Sequence, residues 1–103
     1  MAVDFAKTGG IGLKVFKILE IAQKKVSDHE TIEQIVVLTD FHSDRKRIGL
    51  VGGFSVSEYA FAALKWIGSE FSLRKFAELF ASLSDDRKMR VNELVDSKAY
   101  MKI

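Results

Sequence analysis

Asp40, His42 and Asp44 stand at alternate positions in the segment Asp40-Phe41-His42-Ser43-Asp44. In an extended chain alternate side chains share one face, and two carboxylates with an imidazole form a donor set that a divalent cation accepts. The spacing raises metal-assisted hydrolysis as the weakest of three functional expectations, with His29 or Glu33 as the nearest further donors. The competing reading is a polar turn between two apolar segments. A helix running through residues 28 to 41 would remove the shared face, and the overall expectation is that the chain carries no metal and no cofactor.

Thr8-Gly9-Gly10-Ile11-Gly12, followed by Lys14, could present backbone amides and a helix N-terminus to a phosphate. Its glycine spacing fits neither the Walker nor the dinucleotide pattern, and it reads better as a leader ending in a glycine turn. Arg45-Lys46-Arg47 is a compact basic cluster which, with Lys24 and Lys25, could meet phosphate or an acidic protein surface; a solvated loop is its plainer meaning. Of the two histidines, neither sits near a Gly-x-Ser-x-Gly nucleophile setting. The absence of cysteine excludes a disulfide framework, thiolate-ligated zinc, iron–sulfur clusters and thiol catalysis. An enzyme is therefore not expected.

A chain of 103 residues has the size of one domain, and one domain over residues 1–103 is expected. With 48% hydrophobic and 29% charged residues it has enough apolar surface to fold, and eight Phe, one Trp and two Tyr supply the large core side chains. A net charge of +2 permits nucleic acid as a partner without implying it. The amino-terminal stretch lacks a secretion signal's basic and apolar regions, and the apolar-rich run Ile48 to Val56 is broken by glycines. A cytoplasmic protein with no membrane partner is expected.

The elements that must position any site follow from periodicity and caps. Ile11, Val15, Ile18, Leu19, Ala22 and Val26 trace one helical face, predicting a helix from Gly12 to Val26. Ser27 and Glu30 have the spacing of a capping box for a second helix, whose β-branched run Ile35-Val36-Val37 also suits a strand. The strand alternative pairs about Gln34–Phe41 with Arg47–Gly52 and converts the class to α+β. Ser55 with Glu58, plus the apolar pair Phe54 and Tyr59, predicts the start of a third helix. Ser72 is read as the cap of a fourth, with Leu73, Phe76, Ala77 and Phe80 inward, and Ser84 as the cap of a fifth carrying Val91, Leu94 and Val95. The tail keeps Tyr100, Met101 and Ile103, which suggests docking. An all-α bundle of about five helices results.

Residues 77 to 95, AELFASLSDDRKMRVNELV, resemble the stretch of ArsR-type winged-helix repressors that reads Leu-Phe-x-x-Leu-Ser-Asp and runs into an Arg-rich amphipathic helix. In that family the DNA-reading helices follow this segment; here only eight residues follow, and no DNA-binding function is carried over.

The third helix is apolar around most of its circumference, with Phe61 and Trp66 off the stripe formed by Tyr59, Ala63 and Ile67. Such a helix is either central to the core or reaches another chain. The preferred expectation is a small binding or regulatory module, an inhibitor or adaptor, acting through another protein chain and forming a homodimer, with Phe61 and Trp66 as contacts. The second is a nucleic-acid-binding domain using Arg45, Lys46 and Arg47, or Arg74, Lys75, Arg87, Lys88 and Arg90.

Overall fold

A computed structural model describes residues 11–39, 50–51 and 54–102. Five helices make the fold all-α: α1 (Ile11–Lys24), α2 (His29–Val37), α3 (Val56–Ile67), α4 (Glu70–Phe80) and α5 (Asp85–Ser97). Between α2 and α3 a two-residue antiparallel pair joins β1 (Leu50–Val51) to β2 (Phe54–Ser55), with Leu50 opposite Ser55 and Val51 opposite Phe54. A 3-10 turn over Ala99–Lys102 closes the described chain.

α1 buries Val15, Ile18, Leu19, Ile21 and Ala22 and turns Phe16 outward. It ends two residues before the expected Val26, because the chain closes a Schellman turn. The Val26 amide donates to the Ile21 carbonyl and the Lys25 amide to the Ala22 carbonyl, both at 3.2 Å, with Lys25 in the left-handed region at φ 55°.

The cap of α2 corrects the expected pairing of Ser27 with Glu30. Asp28 is the capping residue, its carboxylate accepting from the Thr31 amide at 3.0 Å and the Thr31 hydroxyl at 2.9 Å. These bonds favour the charged carboxylate and hold its pKa below the ordinary aspartate value. A carboxylate accepting two bonds, next to a helix N-terminus, outcompetes a serine hydroxyl one residue earlier. α2 keeps its helical form through Val37 despite the β-branched run, so Gln34–Val37 is helix and not a hairpin strand; positions 40–49 and 52 of the expected pairing lie outside the described residues. Leu50 and Val51 pair across Gly52-Gly53 instead.

α3 is the axis of the molecule. Ser55 Oγ accepts from the Glu58 amide at 3.3 Å and Glu58 accepts from the Ser55 amide at 2.9 Å, so the expected capping box is complete. Phe54 and Tyr59 meet edge to face at 6.2 Å between centroids, forming the hydrophobic staple. Replacing Ser55 with Ala is expected to cost ~1 kcal/mol and lower the melting temperature by roughly 4–8 °C, read by thermal unfolding. An unchanged melting temperature would mean that the hydroxyl does not hold the first turn.

Along α3 every side chain from Val56 to Ile67 is buried except Lys65. α1, α2, α4 and α5 all pack on it. Ala60, Ala62 and Ala63 let those neighbours approach closely, and Gly68 ends the helix in the left-handed conformation at φ +73°.

α4 begins earlier than the sequence suggests. Ser69, not Ser72, is its cap: Ser69 Oγ accepts from the Ser72 amide at 3.2 Å, while the Ser72 hydroxyl donates to the Ser69 carbonyl at 3.1 Å. Ser72 itself is fully buried. Ser84 caps α5 as expected, with Asp85 and Asp86 in the first turn, Val91 and Leu94 buried and Val95 half-buried. In the tail, Tyr100 docks on Trp66 with centroids 5.1 Å apart, Met101 is exposed, and Ile103 lies outside the described residues.

Candidate protein-contact surface

Phe61 and Trp66, expected to meet a partner, are buried within the chain itself. Phe61 is 2% exposed and packs edge to face on Phe76 at 6.3 Å. Trp66 is 6% exposed, and its indole Nε1–H donates to the Val95 carbonyl at 3.0 Å. The cause is simple: with four helices around it, α3 leaves only Lys65 outside, and such a centre needs a helix apolar around nearly all of its circumference.

Asp40, His42 and Asp44 lie outside the described residues, as do Arg45, Lys46 and Arg47. Among the described residues no group of three His, Asp or Glu could hold a metal ion. The two further donors considered with that motif are described. Glu33 is exposed, and the His29 ring stacks on Phe71 at 4.0 Å with planes 18° apart.

The basic residues of the last helices do not form one open cationic face. Arg90 donates from Nε to Glu58 Oε2 at 2.5 Å and from Nη2 to Glu58 Oε1 at 2.9 Å, and its guanidinium lies 5.1 Å from the Phe54 ring centroid. The bond to Glu58 raises the Arg90 pKa above its ordinary value. Glu58 is thus a capping acid and an ion-pair partner at once, joining α3 to α5. Tyr59 beside it has its phenol pKa raised, by burial first and by the Glu58 charge second. Three lysines lie over phenylalanine rings: Lys65 over Phe76 at 5.2 Å, Lys75 over Phe71 at 5.5 Å and Lys88 over Phe80 at 5.7 Å. From Val56 to Lys102 eight basic residues face seven acidic ones.

The remaining feature is apolar. α4 packs against α3 and α2 through Ser72 and Phe76, with Leu79 half-buried. Of the rest of the expected stripe, Leu73 is 38% exposed and Ala77 is exposed, while Phe80 is half-buried and stacks on Phe76 at 4.9 Å between centroids. The spacing of 73, 77 and 80 puts these three on one side of the helix, beside exposed Glu70, Arg74 and Ala81. Phe16, Val37, Met89 and Met101 are also exposed, each on a different element. On α4 the exposed Leu73 and Ala77 share one flank with the half-buried Phe80.

Of the four residues of that stripe Phe76 is buried and Phe80 half-buried, while Leu73 and Ala77 are exposed. With the cap at Ser69, Ser72 lies inside the helix and shares its buried face with Phe76. The signal was the Ser69-Glu70 pair, a cap with an acid in the first turn.

Comparison of the chain with protein-family models, with curated proteins and with solved structures finds no match. Among the described residues no helix is long and apolar enough to cross a membrane.

Proposed function

We propose that this protein is a small binding module that acts by contact with another protein chain, and that the outer flank of α4 is its contact face. The observation that carries the reading is the run Leu73, Ala77, Phe80, which shares one helix side and remains partly exposed when the chain's own core is complete. Helix-on-helix contact needs such a run, with a small residue where the backbones come closest. A second copy of the chain meets that need. In an antiparallel two-fold pairing of α4, Leu73 of one copy falls opposite Phe80 of the other, Ala77 lies beside the axis, and Arg74 comes opposite Glu78. Lys88, now lying over Phe80, would swing aside and keep its charge in water. A regulatory role in the cytoplasm, as inhibitor or adaptor, fits a chain without cysteine.

Sedimentation of the wild type and of Leu73→Glu tests this. The wild type should associate reversibly, and the variant should stay monomeric and folded by circular dichroism. Raising salt from about 50 to about 500 mM should leave the association nearly unchanged, since an apolar contact is little screened. A wild type that is monomeric at high concentration would contradict the homodimer. Association that vanishes with salt would point to charge as its source.

A further inference from the structure

The chain's single tryptophan lies beneath its last described turn. Trp66 is held from three directions. Its indole donates to the Val95 carbonyl at the end of α5, its ring meets Tyr100 at 5.1 Å, and its own carbonyl accepts from Lys25 Nζ at 2.5 Å. Lys25 also places that ammonium 5.1 Å from the Tyr100 ring centroid. The turn 99–102 therefore covers the ring from the α5 side and rests on α1.

Two further features concern how firmly the cover is held. Among the described residues the non-glycine positions with positive φ are Lys25 at 55° and Lys98 at 51°, and these bracket the same cluster. L-residues adopt this region at a cost and return to ordinary backbone when released. The Val95 carbonyl accepts both the Lys98 amide at 3.2 Å and the Trp66 indole at 3.0 Å, so one oxygen links the joint of the turn to the ring beneath it. Against the entropy of ordering four residues stand the half-buried Tyr100 ring on Trp66, the Lys25 cation over it, packing on α1 and the bond from the Met101 amide to the Lys98 carbonyl at 2.9 Å.

We propose that residues 99–102 form a strap that opens about Lys98, and that opening uncovers the Trp66 ring beside Lys25. The strap is a conformational device built into the end of the fold, independent of the α4 flank. Closing requires the left-handed backbone at Lys98, and opening relieves it while the Val95 carbonyl keeps its bond from the indole.

Trp66 reports directly on the device, because no other tryptophan contributes to the fluorescence. In the full chain, acrylamide quenching of Tyr100→Ala should rise about two-fold or more over wild type with the helical signal retained, as the covered population falls. Lys98→Gly, which accepts positive φ without a Cβ clash, should lower quenching below wild type. Quenching of Tyr100→Ala equal to wild type in a folded chain would overturn the strap. A Tyr100→Ala chain that fails to fold would overturn it too, since the turn would then be a fixed part of the core. Lys98→Gly with unchanged quenching would remove the joint from the proposal.

Discussion

Replacing Phe61 with Ala is expected to destabilise the protein by ~3–5 kcal/mol, the range for deleting a buried aromatic side chain. The magnitude follows from what surrounds the ring. Phe61 is 2% exposed and its ring meets Phe76 edge to face at 6.3 Å between centroids, so its removal leaves a cavity inside the core. A domain of this size has a total stability of roughly 5–15 kcal/mol, so the loss is a large part of it. Urea unfolding of the variant checks this, read as a lowered midpoint at similar slope. A loss below about 1 kcal/mol would mean that the ring is not enclosed by the fold. Phe61→Glu should fail to fold, since a carboxylate at this position finds no partner.

The second large effect belongs to Glu58, whose side chain is 4% exposed while that of Arg90 is 43% exposed. The carboxylate accepts the Ser55 amide and two guanidinium bonds, so one side chain caps the start of α3 and ties it to α5. Glu58→Ala should cost ~2–3 kcal/mol: ~1 from the lost cap and the rest from the charged hydrogen bonds. Arg90 itself is half in water, so its rehydration recovers part of the Coulomb energy and keeps the figure below that for a fully buried pair. Arg90→Ala should cost at least as much, because it leaves the buried carboxylate with the Ser55 amide alone. Thermal unfolding of the two single variants and the double variant forms a cycle, and a coupling near zero would show that the pair is not a unit.

Much of the fold is legible in the sequence where one strong local rule acts alone. Ser55 and Glu58 define a helix start that nothing else competes with, and Ser84-Asp85-Asp86 does the same for α5. Where two polar residues could serve as the cap, spacing did not decide. Asp28 displaced Ser27 because it accepts two bonds from Thr31, and Ser69 displaced Ser72, whose hydroxyl is buried and donates to the Ser69 carbonyl. The α1 end at Lys24 was hidden because its left-handed residue is a lysine, where glycine would have marked it.

The site was less legible than the fold, for a physical reason. Hydrophobic periodicity gives a helix's apolar face but not the depth of each position, which depends on how many neighbours the helix has. α3 has four, so Phe61 and Trp66, which look superfluous on a wheel, are needed in the interior. α4 packs on two, α3 and α2, so part of a stripe that looks like core remains outside. The same pattern of letters thus gives core in one helix and surface in the next.

The most direct test of the proposed contact is to follow backbone amide shifts of the uniformly labelled chain on dilution from concentrated to dilute solution. If α4 is the contact face, the shifting amides should cluster at Leu73, Arg74, Ala77, Glu78 and Phe80, with α1 and the Ser55 cap unmoved. Shifts confined to other helices, or no shift on α4 while the chain still associates, would contradict the account.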